Sequence, residues 1–122
     1  MSRGMWLGSV LMMCATGVAW AHHSFAMFDP SKAMTLDGTV KEFQWTNPHA
    51  WIQLNVANAS GGVDEWSLEG QSPNVLARTG WRPKSIKPGD KISVRINPLR
   101  DGSKGGSIVT VTLEDGRVLA NK

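Results

Sequence analysis

Short segments in which apolar and polar residues alternate, separated by prolines and glycines, are the feature of this sequence that most constrains its fold. The alternation is complete in residues 91–97, where isoleucine or valine occupies every second position, and it recurs in residues 50–56 and 107–113. Alternation with a period of two places the apolar side chains on one face of a strand, against a core. These segments therefore predict half-buried strands and a mainly β fold.

Two further strands complete the predicted set. The first begins at Met34, carries a bulge or bend at Gly38, and is ended by the Asn47-Pro48 pair. Another covers residues 63–69 and is joined to the strand at 50–56 by a turn rich in asparagine, serine and glycine, as in a β-hairpin. The chain therefore supplies three strands before its middle and two after it.

One helix is predicted between the third and fourth strands, over residues 72–80. Ser72 can accept a hydrogen bond from a free amide, Pro73 suits the first helical position, and Gly80 suits the left-handed residue that closes a helix. Three strands, a helix and two strands is the order of a five-stranded, partly open Greek-key barrel of the OB type. A small β-sandwich or roll is the alternative. We assign this domain to residues 34–120 and an ordered arm, with its aromatic residues packed on the barrel, to residues 22–33.

The first 21 residues have the order of a secretory signal peptide. One basic residue, Arg3, precedes an apolar run, and Ala19-Trp20-Ala21 provides the small residues of a cleavage site. The run is shorter than the roughly 20 apolar residues of a membrane-spanning helix. We expect cleavage after Ala21, a periplasmic or secreted protein, and no stable membrane span in the mature chain. An uncleaved anchor and lipidation at Cys14 are the alternatives, and the large residue before Cys14 disfavours the second.

Charge and motifs restrict the classes of function. Loss of Arg3 lowers the net charge from +3 to +2, and the chain has no lysine- and arginine-rich run, so we expect no nucleic-acid partner. No nucleophile elbow, zinc-protease, redox or nucleotide-binding motif occurs, so we assign no catalytic residue and do not expect an enzyme. Glu65 and Glu69 share one face of a strand, which is typical of a solvated surface.

The histidines predict a metal site. Cleavage after Ala21 would make His22 the first residue, and its free amine and ring nitrogen could chelate one ion. His23 and His49 could add imidazole nitrogens, a set that suits copper first. Alternatively, the paired histidines only mark the cleavage boundary, and His49 hydrogen-bonds a backbone carbonyl in its turn.

Tryptophans provide a second candidate site. Trp45, Trp51 and Trp81, together with Asn47, could dock a protein, peptide or glycan if they lie on the barrel surface, since OB barrels bind ligands on such a face. Alternatively, they belong to the core, as large aromatic residues do in small domains.

Four segments resemble the DUF6152 family of small exported bacterial proteins of unknown function. The most specific are the His-His-Ser-Phe sequence that starts at residue 22 and the Trp-Thr-Asn-Pro-His sequence that starts at residue 45. The other two are Gly-Trp-Arg-Pro, from residue 80, and Asn-Pro-Leu-Arg-Asp-Gly, from residue 97. The resemblance covers nearly the whole mature chain. It implies export and a single domain, and no mechanism.

Overall fold

The computed structural model describes residues 25–122. The predicted signal peptide with Cys14, and the two histidines His22 and His23, lie outside the described residues. Within residues 25–122, no helix is long and apolar enough to cross a membrane.

Six strands and one α-helix make up the regular structure of the described chain, after two single turns of 3₁₀ helix at Phe25–Met27 and Pro30–Lys32. In chain order they are β1 Met34–Gln44, β2 Trp51–Ala57, β3 Val63–Glu69, α1 Pro73–Arg78, β4 Lys91–Pro98, β5 Gly105–Thr112 and β6 Val118–Ala120.

Strands β1 to β5 form a closed barrel. Strand β1 pairs antiparallel with both β2 and β4, β2 pairs with β3, and β4 pairs with β5. The barrel is closed by a short parallel pairing of β3 with β5, in which Ser67 faces Gly105 and Glu69 faces Ser107. The predicted OB-like barrel, with its helix between strands 3 and 4, is confirmed, and β6 adds a short antiparallel strand to β5.

Gly38 lies next to the point at which β1 passes from one partner strand to the other. Residues 34–39 pair with β4, and residues 39–44 pair with β2. A Cβ atom on Gly38 would lie 2.5 Å from the carbonyl oxygen of Asn55, so only glycine allows this close approach. The register shift lies between Val40 and Glu42, so the bulge predicted at Gly38 is not at that residue.

The helix begins and ends as its sequence predicts. The Ser72 hydroxyl accepts a hydrogen bond from the amide of Val75, Pro73 occupies the first helical position, and Gly80 has a φ of 97°. Six residues are too few to form a stable helix alone. Burial of Leu76 in the barrel core anchors it.

The core fills the barrel interior with the inward-facing residues of the strands. The alternation predicted for β4 is confirmed, because Ile92, Val94 and Ile96 are all buried. Full burial of each such side chain contributes roughly 1.5–3 kcal/mol relative to exposure. Leu54 and Leu68 complete the centre from the β2–β3 hairpin.

The arm before β1 is fixed to the β4–β5 connection. Phe28 is buried and forms a β-bridge with Leu99, and the amide of Arg100 donates to the carbonyl of Met27. The expectation that the arm's aromatic residues pack on the barrel is correct for Phe28 and wrong for Phe25, which is 69% exposed. Phe25 lies in the first 3₁₀ turn, beyond the bridge that holds Phe28 down.

Candidate functional site

His49 lies in a turn whose backbone is fixed on both sides. The hydroxyl of Thr46 donates to the carbonyl of His49 at 2.8 Å, and the Asn47–Pro48 peptide bond is cis. Immediately after the turn, Ala50 exchanges backbone hydrogen bonds with residues 70 and 71 at the end of β3. The turn between β1 and β2 is therefore held against the end of β3.

The His49 ring has one nitrogen in use and the other directed towards a carboxylate. Nδ1 lies 3.0 Å from the carbonyl oxygen of Gly70. Because a carbonyl oxygen only accepts, Nδ1 carries the hydrogen. In the neutral ring the lone pair then resides on Nε2, which is 3.7 Å from Oε1 of Glu69.

Glu69 is a buried acid, and its interpretation as a solvated surface residue is wrong. Only 8% of the residue is exposed, because Glu69 pairs with Trp51 of β2 on one side and Ser107 of β5 on the other. Among the described residues, no side chain donates a hydrogen bond to its carboxylate within hydrogen-bonding distance. Glu65, four residues earlier, is exposed and paired with Lys41, as its pattern indicates.

Sequence reasoning missed Glu69 because no local signal separates the two glutamates. Both occupy the same face of β3 by alternation. The difference comes from the parallel pairing with β5, some forty residues later in the chain, which covers only the last three residues of β3.

His49 and Glu69 border a cavity of about 120 Å³ at this end of the barrel. Phe25, the first described residue, lies on its rim. The residues that line the cavity are Phe25, Phe28, His49, Glu69, Gly70, Gln71, Ser107 and Asn121. Asn121 holds the wall in place, because its side chain accepts from the amide of Gln71 and donates to the carbonyl of Ile108.

The described residues do not by themselves form a metal site. Within residues 25–122, no group of three or more histidine, cysteine, aspartate or glutamate side chains could hold a metal ion. His49 and Glu69 provide two donor groups. The predicted convergence of His22 and His23 on His49 stays a prediction, since both lie outside the described residues.

A family comparison covers most of the chain. The model of DUF6152, described as a family of unknown function, matches residues 10–109. The chain belongs to the DUF6152 family. No curated protein matches the chain, and no solved structure does. The predicted resemblance is confirmed, and membership of DUF6152 brings no assigned activity with it.

Trp81 of this DUF6152 protein is a core residue, which corrects its assignment to a docking surface. It is 1% exposed, and its Nε1 donates a hydrogen bond of 2.9 Å to the carbonyl of Ala120 in β6. Phe43 packs edge-on against Trp81, and Trp45 packs edge-on against Phe43 with ring centres 5.8 Å apart. Trp45 is therefore half-buried against the core and offers only part of its surface.

Trp51 is the predicted docking residue that borders a pocket. It lines a mainly apolar pocket of about 130 Å³ together with Met27 and Leu99. Glu69 lies between this pocket and the His49 cavity and lines both of them. Asn47 is exposed in the turn and lines neither.

A second buried acid, Asp29, fixes the arm that leads to the cavity. Its carboxylate accepts from the hydroxyl of Ser31 at 2.6 Å and from the Ser31 amide at 3.0 Å. The Ser31 hydroxyl hydrogen bond is the main reason that the pKa of Asp29 is lowered, and nearby Arg100 lowers it further. Arg100 also donates from Nε to the carbonyl of Ala26, so one side chain ties the arm at two points.

Proposed function

We propose that this DUF6152 protein is an exported binding module, periplasmic or secreted, that binds a copper ion at the His49 end of its barrel. In this proposal the mature chain begins at His22, and His22 and His23 supply the remaining nitrogen ligands. The role is binding and not catalysis.

The observation that carries the proposal is the state of the His49 ring. Histidines that bind metals commonly donate their other ring N–H to a backbone carbonyl or a carboxylate, which fixes the tautomer and the orientation of the ring. His49 has this arrangement, with Nδ1 donating to Gly70 and Nε2 facing Glu69. The alternative is a histidine that donates from Nδ1 to the Gly70 carbonyl and forms an ion pair with Glu69 when its ring is protonated.

Chain length supports the participation of the two N-terminal histidines. Phe25 lines the same cavity as His49, and Arg100 and Asp29 hold the segment that follows it. His22 is three residues before Phe25, and an extended chain spans at most about 3.3–3.6 Å per residue. Three residues of extended chain reach roughly 10 Å, so the proposal needs no longer connection from the cavity rim.

The chemistry of a new amino terminus favours copper over other ions. A free α-amine and the adjacent imidazole can close a chelate ring, and an imidazole from His49 makes a set of three nitrogens. Copper stands highest in the affinity order of the divalent metals for such sites, and tetragonal nitrogen sites suit Cu(II).

A copper titration against a competing chelator tests this proposal on two forms of the protein. One begins at His22, and the other carries one additional residue before His22, which removes the free amine from the chelate and leaves every described residue unchanged. We expect one copper ion per chain for the first form and an affinity at least about tenfold lower for the second. Equal affinities would refute the N-terminal chelate.

A second candidate function is the docking of a protein, peptide or glycan, and the Trp51 pocket favours it. Met27 on the rim of that pocket is partly exposed, and the pocket is open to a small apolar group. Replacement of Trp51 by Ala should then abolish binding to a captured partner and leave the copper titration unchanged.

A further inference from the structure

We infer that a basic groove beside the connection between α1 and β4 binds the surface of an anionic phospholipid membrane. The inference is independent of the proposed copper site, because the groove and the His49 cavity lie at opposite ends of β5. Ser107, near the start of the strand, lines the cavity, and Leu113, just after its end, lines the groove.

Positive charge is concentrated in one short part of the described chain. Residues 78–91, from the end of α1 to the start of β4, contain five arginines and lysines and one aspartate. The rest of residues 25–122 contains seven arginines and lysines and nine acidic residues. The small net charge of the chain therefore combines a positive segment with a negative remainder. Such an asymmetry orients a protein in the field of a charged partner.

The fold gathers these cations around one groove of about 450 Å³. The basic residues that line it are all exposed, and they are Arg82, Lys84, Lys87, Lys91 and Arg117. The first four are spaced singly along the sequence, and the fifth comes from the turn between β5 and β6, so no basic run marks the groove in the sequence.

The described protein leaves most of this charge unpaired. Among residues 25–122, Lys84, Lys87 and Lys91 have no carboxylate within ion-pair distance. The guanidinium of Arg82 donates to the backbone carbonyls of residues 77 and 81, which fixes its position and leaves its charge without a counter-ion. A bound anion would therefore meet four cations that no acid of the described chain already holds.

The acidic residues of the groove do not cancel this charge. Asp115 is paired with Arg117 at 2.8 Å, and Asp90 accepts a hydrogen bond from the backbone amide of Lys87. With Glu114, two carboxylates remain against the four unpaired cations. A layer of mobile lipid headgroups suits this spacing, because separate phosphates can approach the cations and avoid the carboxylates.

The backbone below the groove is fixed to the barrel. Trp81 and Ile86 anchor the connection in the core. Near its end, the amide of Gly89 donates to the carbonyl of Val40, and the amide of Val40 donates to the carbonyl of Asp90. The cations thus extend from an ordered base, and binding to a membrane does not have to order the connection first.

Exposed apolar residues beside the cations favour lipid over other polyanions. Pro83 and Pro88 are exposed within the connection, and Val118, which follows Arg117, is 60% exposed. Binding to a membrane surface combines basic side chains at the headgroups with apolar groups at the boundary of the acyl chains. An acidic protein segment or a nucleic acid offers no such apolar layer.

Co-sedimentation with lipid vesicles tests this inference. The protein is the chain that begins at His22, which contains every described residue and lacks the apolar run of the predicted signal peptide. We expect binding to vesicles with roughly one-third phosphatidylglycerol, loss of that binding at high salt, and no binding to pure phosphatidylcholine. Combining Lys84→Gln, Lys87→Gln and Lys91→Gln should lower the partition coefficient at least tenfold, since each cation near an anionic surface contributes about fivefold.

The matched control combines Lys32→Gln, Lys104→Gln and Lys122→Gln, which removes the same charge from exposed lysines outside the groove. It should weaken binding less than about threefold, and replacement of the three groove lysines by arginine should preserve binding. Equal losses in the two glutamine variants would overturn the groove as the binding surface. Equal binding to both kinds of vesicle would overturn the recognition of anionic headgroups. Tighter binding at the same salt to a polyglutamate peptide or a DNA duplex would overturn the choice of lipid.

Discussion

Two buried carboxylates at the same end of the barrel have opposite surroundings. Asp29 is 7% exposed and accepts two hydrogen bonds from Ser31, with Arg100 at 3.5 Å. Glu69 is 8% exposed, and its carboxylate lies 3.7 Å from His49 Nε2. The two carboxylates are thus equally buried, but Asp29 has a full set of partners and Glu69 has an incomplete set.

The difference separates an acid with several hydrogen bonds from one with a single ion-pair contact. Burying a charge costs free energy unless hydrogen bonds or an opposite charge compensate for it. At Asp29 the protein provides that compensation, and the result is a fixed arm. At Glu69 the described residues provide one ion-pair contact, with His49 at 3.7 Å, on the border of a cavity. In the proposed copper site, the bound ion would add a positive charge close to this carboxylate.

Among the variants that test this contrast, His49→Ala should have the largest effect on copper affinity. Loss of the imidazole removes a ligand and the group that faces Glu69, so the affinity for Cu(II) should fall about 100-fold. A chelator-competition titration measures the loss, and the circular dichroism of the buried Trp81 shows whether the barrel is intact. An unchanged affinity in a folded variant would remove His49 from the site.

A smaller effect is expected for Arg100→Ala, which loosens the arm without touching the cavity. Arg100 holds the carbonyl of Ala26 and faces Asp29, so its loss should lower copper affinity about tenfold by freeing the N-terminal histidines. The matched control is Arg95→Ala, an exposed arginine on β4. A chain with an extra residue before His22 already lacks the chelate, so Arg100→Ala should not weaken it further. The same loss in that chain would contradict a positioning role.

Asp29→Asn should make stability less dependent on acid pH. The pKa of Asp29 is lowered below 3.8 in the folded protein, chiefly by the Ser31 hydroxyl, so the folded state favours the ionised form. The stability gained from ionisation is present above the unfolded pKa and is lost as pH falls through the lowered folded pKa. The unsubstituted protein should be more stable than Asp29→Asn at neutral pH, and the difference should shrink below about pH 3.8. Thermal unfolding across this range tests it, and a difference independent of pH would contradict it.

The smallest effect is expected for Glu69→Gln in the metal-free protein. Because the carboxylate lies 3.7 Å from its ion-pair partner His49 and receives no side-chain hydrogen bond from the described residues, its neutralisation should leave the free energy of unfolding within about 0.5 kcal/mol of the original, or raise it. Urea unfolding measures this change. A large loss of stability would make Glu69 a structural acid like Asp29 and would remove the contrast between them.

The sequence predicts those parts of the fold that depend on neighbouring residues. The bounds of β3 follow from its alternation of apolar and polar residues. The start of α1 follows from Ser72 and Pro73, and its end follows from Gly80. The barrel class follows from the order of these elements.

The predictions that were wrong concern residues whose burial depends on contacts between distant segments of the chain. Trp81 sits between polar and glycine-rich neighbours, and its burial is completed by the carbonyl of Ala120, 39 residues later. Glu69 is covered by β5 and by the arm, and neither contact is encoded in the alternation of β3. His49 was predicted because its imidazole is a common metal ligand, whereas its partner Glu69 was not predicted.

Metal analysis of the protein isolated from the proposed periplasmic or secreted fraction tests the copper site most directly. The protein should contain about one copper ion per chain when it begins at His22, and its His49→Ala variant, prepared in parallel, should contain almost none. Absence of metal from the unsubstituted protein, or equal copper in both, would contradict a copper site at His49.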